Sequence, residues 1–390
     1  MKRLKRILVI TVAAVMAVMS LAACSDRGKE NSPEGEKILK LGGIGPLTGN
    51  NAQYGQAVKN AAELAIKEIN AAGGVNGYEL KLNYQDDESD AEKAMNAYNT
   101  LKDWGMQILL GTVTSTPCEA VVDLSHEDNM FQLTPSGSSV DAIKYDNAFR
   151  VCFNDPNQGI GAADYIAQSG IAKKIAAIYN SQSTYSSGIY EKFASEAKIK
   201  NLEIVCAEAF TDDSATDFSV QIQKVKESGA ELLFLPIYYK EAALILKQAN
   251  TAGLDVIYFG CDGLDGIIPQ LGGEAALAEG VMLLTPFVAN ATDEATQKFV
   301  ADYKAAYTEE PNQFAADAYD GVYAIKAALE KANITEASIE PAALCDQLKT
   351  AMTEIEVNGL TGKMTWSADG EPTKTPKAMK IVDGKYSAVE

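Results

Sequence analysis

Two hydroxyl-rich segments each close a short apolar run. Gly111-Thr112-Val113-Thr114-Ser115-Thr116-Pro117-Cys118-Glu119 follows residues 107–110, and Pro135-Ser136-Gly137-Ser138-Ser139-Val140-Asp141 follows residues 130–134. Thr116, Pro117 and Glu119 read as N-cap, N1 and N3 of a helix, and the second segment also reads as a helix start. Free N–H groups at such a start, with Ser115 beside them, suit a carboxylate. A well-capped helix without any ligand fits the same residues. In the second half, Asp262 stands in Gly260-Cys261-Asp262-Gly263 after the run 256–259. An Asp beside Gly is commonly a turn residue; at a strand end facing a cleft it can also pair with an ammonium. Tyr185 follows the run 174–179 and Tyr238 follows 231–235, as core-edge residues or as a wall. A carboxylate with an aromatic wall, set against an anion cradle, is what a zwitterion needs.

Other chemistries are poorly served. Gly43-Ile44-Gly45-Pro46-Leu47-Thr48-Gly49 approaches a dinucleotide fingerprint, but the third glycine is one residue late and Pro46 sits in the turn. It reads as a loop lining a cleft. The only imidazole, His126, falls late in a helical stretch and reads as a surface residue. That leaves no His-based metal site, and no G-x-S-x-G elbow is present. No enzymatic activity, metal or cofactor is expected. Lys plus Arg number 34 against 53 Asp plus Glu, a net charge of -19, which excludes nucleic-acid binding through a basic surface. Cys118, Cys152, Cys206, Cys261 and Cys345 are an odd count without C-x-x-C spacing, so most read as buried small hydrophobes.

The elements that must position these residues alternate. Strand-like runs at 37–44, 79–84, 107–110, 130–134 and 148–153 are interleaved with helical stretches at 52–72, 90–102 and 117–127. The rhythm restarts with helices at 160–168, 185–198, 218–227 and 241–250 between runs at 174–179, 203–207, 231–235 and 256–259. Helices at 296–307, 314–331 and 341–352 and hairpin-like strands close the chain. With 390 residues, about two domains are expected at roughly 150 residues each. The fold class is α/β, as two similar lobes with mostly parallel sheets covered on both faces. In such sheets ligands bind beyond the carboxyl ends of the strands, where the segments above lie.

The first 23 residues read as an export signal. Met1-Lys2-Arg3-Leu4-Lys5-Arg6 is basic, and residues 7–23 are apolar except for Thr11 and Ser20. Leu21-Ala22-Ala23-Cys24 looks like a bacterial lipobox, in which Cys24 takes the lipid. Residues 24–36 hold no large apolar side chain and read as a flexible tether. Loss of Lys2, Arg3, Lys5 and Arg6 takes the charge from -19 to -23. Such a surface is repelled by anionic lipid, so acyl chains must hold it to the outer face of the cytoplasmic membrane.

The body of the chain, from Lys37 onward, resembles the type I periplasmic binding proteins, specifically the branched-chain amino-acid binding proteins of ABC importers. The resemblance rests on Gly45-Pro46-Leu47-Thr48-Gly49 with Tyr54-Gly55, and on Glu68-Ile69-Asn70-Ala71-Ala72-Gly73-Gly74-Val75-Asn76-Gly77. Asp86-Asp87, residues 111–116, Thr134-Pro135-Ser136 and Tyr185 add to it. It implies a monomer of two lobes joined by three crossings near Asn154, Pro286 and Pro376. Lobe 1 would then be 37–154 plus 287–376, and lobe 2 would be 155–286 plus 377–390. It implies a ligand α-carboxylate on Ser115, Ser136, Gly137 and Ser138, an ammonium on Asp262, and side-chain contacts from Tyr54, Val113, Tyr185 and Tyr238. Leucine/isoleucine/valine-binding proteins have Glu where Asp262 stands, a longer arm. A disulfide of relatives has no counterpart, since Ser89 and Thr114 occupy its two places.

The expected function is capture of an apolar, branched-chain or similar amino acid and its delivery to an ABC permease in the membrane. The alternatives are the same fold binding an amide, a urea-like solute or an aromatic acid, or serving as a ligand sensor. Cys24→Ala is expected to release the protein from the membrane fraction on fractionation of expressing cells; continued retention contradicts the lipid anchor.

Overall fold

A computed structural model describes residues 37–389. The export signal, the lipobox and the whole tether lie outside the described residues. The first sheet is wholly parallel, with order β2-β1-β3-β4-β5, where β1 is Ile38–Gly45, β2 Glu79–Asp86, β3 Ile108–Leu110, β4 Phe131–Thr134 and β5 Ala148–Arg150. Helices α1 (Ala52–Ala71), α2 (Ala91–Trp104) and α3 (Ser115–Glu127) connect its first four strands. Every residue of β3 and β4 is buried, as expected for strands covered on both faces.

The second sheet repeats this plan. Its parallel part has order β7-β6-β8-β9-β10, with β6 at Lys174–Asn180, β7 at Glu203–Phe210, β8 at Leu232–Leu235, β9 at Ile257–Gly260 and β10 at Met282–Leu284. Antiparallel strands β13 (Ala378–Val382) and β14 (Lys385–Ala388) extend it beyond β10. Around it lie α4 (Asp155–Ser169), α5 (Thr184–Ile199), α6 (Ser219–Ser228), α7 (Tyr239–Ala252) and the short α8 (Ile267–Leu271). Both sheets therefore carry the doubly wound order 2-1-3-4-5, whose switch point lies between the first and third strands. The fold is the expected α/β pair of lobes.

The chain then returns to the first lobe as α9 (Glu294–Tyr307), α10 (Gln313–Lys331), α11 (Pro341–Met352) and the small hairpin β11 (Val357–Gly359) with β12 (Gly362–Met364). Helix α10 packs lengthwise on α1. Alanines at 57, 61, 62 and 65 of α1 and at 315, 316, 318, 324 and 328 of α10 are buried, and their small side chains allow close approach. The chain thus changes lobe three times: between β5 and α4, between β10 and α9, and between β12 and β13.

Two local expectations change. Helix α3 begins at Ser115, with Thr114 as N-cap and no side-chain cap bond, two residues earlier than Thr116-Pro117 suggested. Pro117 is tolerated at the third helical position because the first-turn N–H groups have no intrahelical partner to lose. The stretch after Ser139 forms only a 3-10 turn, Val140–Ile143. All five described cysteines are unpaired; Cys118, Cys152, Cys261 and Cys345 are buried, and Cys206 is half-buried. His126 is exposed and stacks on Tyr145, with centroids 3.9 Å apart.

The third connection is pinned by a buried ion pair. Lys374 Nζ lies 2.7 Å from Asp317 Oδ1 on α10 and donates to Thr361 Oγ1 at 2.7 Å. Burial pushes the Asp317 carboxyl up to about 6, opposed by the Lys374 charge. Lys374→Met should cost about 3–5 kcal/mol near neutral pH, because it leaves a buried carboxylate without its cation. Without the lysine the folded-state pKa of Asp317 rises further above its unfolded value, so the variant gains stability as pH falls. The deficit should therefore shrink from about pH 8 to about pH 5 in urea unfolding curves.

Candidate functional site

Loops from the carboxyl ends of both sheets converge. The first sheet contributes the loops after β1, β3 and β4; the second contributes those after β6, β8 and β9. They enclose a small cavity lined by Tyr54, Val113, Thr114, Ser115, Ser136, Ser138, Tyr185, Tyr238, Asp262, Gly263 and Phe314. Eight of the nine residues expected at a ligand are among them: Ser115, Ser136, Ser138, Asp262, Tyr54, Val113, Tyr185 and Tyr238. Gly137 is not. Its N–H donates to Thr134 Oγ1 at 2.7 Å within the loop, so the geometry does not offer that N–H to the cavity.

The first-lobe wall combines hydroxyls and a helix start. Ser115 is the first residue of the thirteen-residue helix α3, whose first-turn N–H groups carry the positive end of the helix dipole. Ser115 Oγ accepts from the Ser139 N–H at 3.2 Å, leaving its own proton free to donate. Thr114 is buried, and its hydroxyl has no hydrogen-bond partner among the described residues. Ser136 Oγ instead donates to the Val113 carbonyl at 2.7 Å, which ties the two loops together. Arg150, fully buried at the end of β5, donates to the carbonyls of Gly137 and Ser139, both at 2.9 Å. It sets the shape of the 136–139 loop and places a positive charge behind it.

The second-lobe wall centres on Asp262, which is 4% exposed. Its Oδ1 accepts from the Tyr185 hydroxyl at 2.7 Å, and its N–H donates to Gln158 Oε1 at 3.1 Å. Burial pushes its carboxyl up to about 7; the hydrogen bonds oppose this, and the charge of Asp317 adds to it. Burial likewise raises the Tyr185 and Tyr238 hydroxyls, with the Asp262 charge contributing to both. Gly263 is required here: a Cβ would stand 2.7 Å from the Tyr185 hydroxyl and 2.8 Å from the Ile237 carbonyl. The Gly263 N–H donates to that same tyrosine oxygen at 2.9 Å.

Aromatic rings close the space between the walls. Tyr185 and Tyr238 stack at 4.8 Å, Tyr54 meets Tyr238 edge-on at 5.6 Å, and Phe314 lies 4.2 Å from Tyr54. The Tyr54 hydroxyl crosses between lobes to the Gly263 carbonyl and accepts from the Tyr239 N–H at 3.2 Å. Tyr54 reaches this place because α1 starts tight against the loop after β1. At Gly55 a Cβ would fall 1.9 Å from the Pro46 carbonyl oxygen. Asp155 stands at the start of α4, 2% exposed, and burial raises its carboxyl while the Ser138 hydroxyl opposes the rise.

Sequence reasoning missed Arg150, Gln158, Asp155, Gly263 and Phe314. Only Gly263, beside Asp262, and Asp155, beside the expected crossing at Asn154, had a nearby signal. No group of three or more potential metal ligands occurs among the described residues, and no described helix is long and apolar enough to cross a membrane.

The chain is similar to Leu/Ile/Val-binding protein homolog 3 of Brucella melitensis biotype 1, with 29% identity over 356 residues, 90% of this chain and 94% of that protein. Its structure is similar to a branched-chain amino acid transporter substrate binding protein from Streptococcus pneumoniae in complex with isoleucine. The TM-score is 0.81 at 28% identity, covering 90% of this chain and 99% of that one. A solute binding protein of an ABC transporter from R. palustris, in complex with benzoate, shares the fold with a TM-score of 0.80 at 21% identity, covering 90% and 95%. The family model described as periplasmic binding protein matches residues 38–385, and the chain belongs to that family.

Proposed function

We propose that this protein is the extracytoplasmic solute-binding component of an ABC importer, closing its two lobes on a zwitterionic amino acid with an apolar, branched-chain or similar side chain. One observation carries the reading. A buried carboxylate, Asp262, shares a small cavity with the Ser115 hydroxyl and the N-terminus of α3. The ligand ammonium goes to Asp262, and the α-carboxylate goes to Ser115, Ser138 and the first-turn N–H groups of α3. Ser136 and Gly137 shape the cradle through the bonds they already make. Tyr54, Val113, Tyr185, Tyr238 and Phe314 enclose the side chain. The similarity to a Leu/Ile/Val-binding protein homolog from Brucella melitensis and to a Streptococcus pneumoniae binding protein in complex with isoleucine supports this ligand class.

The chain around this site follows the same reading. The lobes divide at Asn154, Pro286 and Pro376 and close by hinge rotation. The domain works as a monomer, without enzymatic activity or contact with nucleic acid, held at the outer membrane face by lipid on Cys24. A second reading draws on the carboxyl of Asp262 lying near pH 7. Protonated, it donates a hydrogen bond and accommodates an acid without an amine, such as an aromatic acid.

A thermal-shift screen of the chain after Cys24 separates the two. At one hundred times its Kd, an amino acid adds about 2.7 kcal/mol to stability. Leucine, isoleucine or valine is expected to raise the melting temperature, and Asp262→Ala to abolish the rise. Equal shifts from amides or aromatic acids contradict the zwitterion reading. The pH dependence carries a definite sign. Asp262 holds an ammonium only when ionised, and in the cavity that form is lost as pH falls through about 7. Calorimetric Kd values for isoleucine should rise on going from about pH 8 to about pH 5.5, by up to tenfold per unit, and Asp262→Asn should bind weakly with a flat profile.

A further inference from the structure

The two lobes are fastened at a point outside the ligand cavity. Asp265 follows the 3-10 turn Asp262–Leu264 that leaves β9 of the second sheet. Gln313 is the first residue of α10, which packs on α1 in the first lobe. The main-chain N–H of Gln313 donates to Asp265 Oδ2 at 2.8 Å, and its side-chain Nε2 donates to the Asp262 carbonyl at 2.8 Å. The other oxygen of Asp265 accepts from the Tyr386 hydroxyl at 2.8 Å. Asp265 is 3% exposed and Gln313 1%, yet neither lines the cavity.

We propose that Asp265 and Gln313 form an interlobe latch, made only in the closed protein, that sets affinity by a common factor for every ligand without reading the side chain. As the first residue of a nineteen-residue helix, Gln313 has an N–H with no intrahelical acceptor. A carboxylate from the other lobe satisfies it and faces the positive end of the helix dipole. Opening the lobes separates donor from acceptor. Apparent affinity scales with the fraction of protein that can reach the binding-competent closed form, so a latch that does not line the ligand cavity multiplies all affinities alike. Asp265 and Gln313 are positioning residues: through Nε2, Gln313 also steadies the turn that carries Asp262.

The helix start allows a clean test. Proline is well accepted at the first helical position, where it deletes an N–H without breaking the helix. Asn312 already has the extended conformation (φ -100, ψ -177) required before proline. Gln313→Ala removes the side chain and keeps the N–H; Gln313→Pro removes both. The latch rests on the amino-acid reading for its first readout, calorimetric titration with isoleucine and with leucine. Gln313→Pro should raise both Kd values about tenfold beyond Gln313→Ala, with the isoleucine-to-leucine ratio unchanged. Asp265→Ala should weaken binding comparably, and the Asp265→Ala/Gln313→Pro double variant should lose little more than either. Melting curves of the ligand-free variants verify that they fold. Equal Kd values for the alanine and proline variants, or a shifted ratio, overturn the latch. If neither amino acid binds the parent protein, it is the ligand reading that fails. The latch is then judged with paired spin labels, one on each lobe: Gln313→Pro should populate longer distances than Gln313→Ala, and identical distributions overturn it.

Discussion

A carboxylate taken out of water must be compensated, and the site is organised around that requirement. Two buried acids meet it differently. Asp317 has Lys374 at 2.7 Å, a cation supplied by the chain. The Asp262 carboxylate has a tyrosine hydroxyl, and its main-chain N–H is held by the Gln158 side-chain oxygen; these hold its geometry but bring no positive charge. Its carboxyl is accordingly pushed up to about 7. In the proposed complex a ligand ammonium would complete at Asp262 what Lys374 completes at Asp317, and the unmet desolvation of the carboxylate would become a driving force for binding a cation.

The rest of the fold brings an opposite partial charge to the other end of the same small space. Each sheet has its switch point between the first and third strands, so the loops that the sheet does not need for packing gather at one edge. Two copies of that plan face each other. One delivers a helix start and hydroxyls, backed by the buried Arg150; the other delivers Asp262 and two tyrosines. The three crossings are where the proposed closure would hinge, and Tyr54 and Gln313 reach across to main-chain groups of the second lobe. Polarity is thus split between lobes, with both walls facing one cavity.

Much of this was legible in the sequence because strand ends announce themselves. Ser115, Tyr185, Tyr238 and Asp262 each follow an apolar run and stand at the start of a helix or turn, and all four line the cavity. Less legible were residues whose role depends on another segment. Arg150 reads as an ordinary strand residue until the 136–139 loop folds back over it. Gln158 and Phe314 sit near helix starts far away in sequence. The fate of the Gly137 N–H depends on the loop's own hydrogen bond to Thr134, which composition does not encode. Pro117 is equally acceptable at the first or third helical position, so the proline does not fix the start of α3.

The most direct measurement is a crystal structure of the exported chain grown with isoleucine. The ammonium is expected within about 3 Å of an Asp262 carboxylate oxygen, and the α-carboxylate on the Ser115 hydroxyl and the first N–H groups of α3. The Tyr185 hydroxyl should remain at the Asp262 edge. Isoleucine bound in the opposite orientation, or bound with its ammonium on solvent and Asp262 still held only by Tyr185 and Gln158, would contradict it.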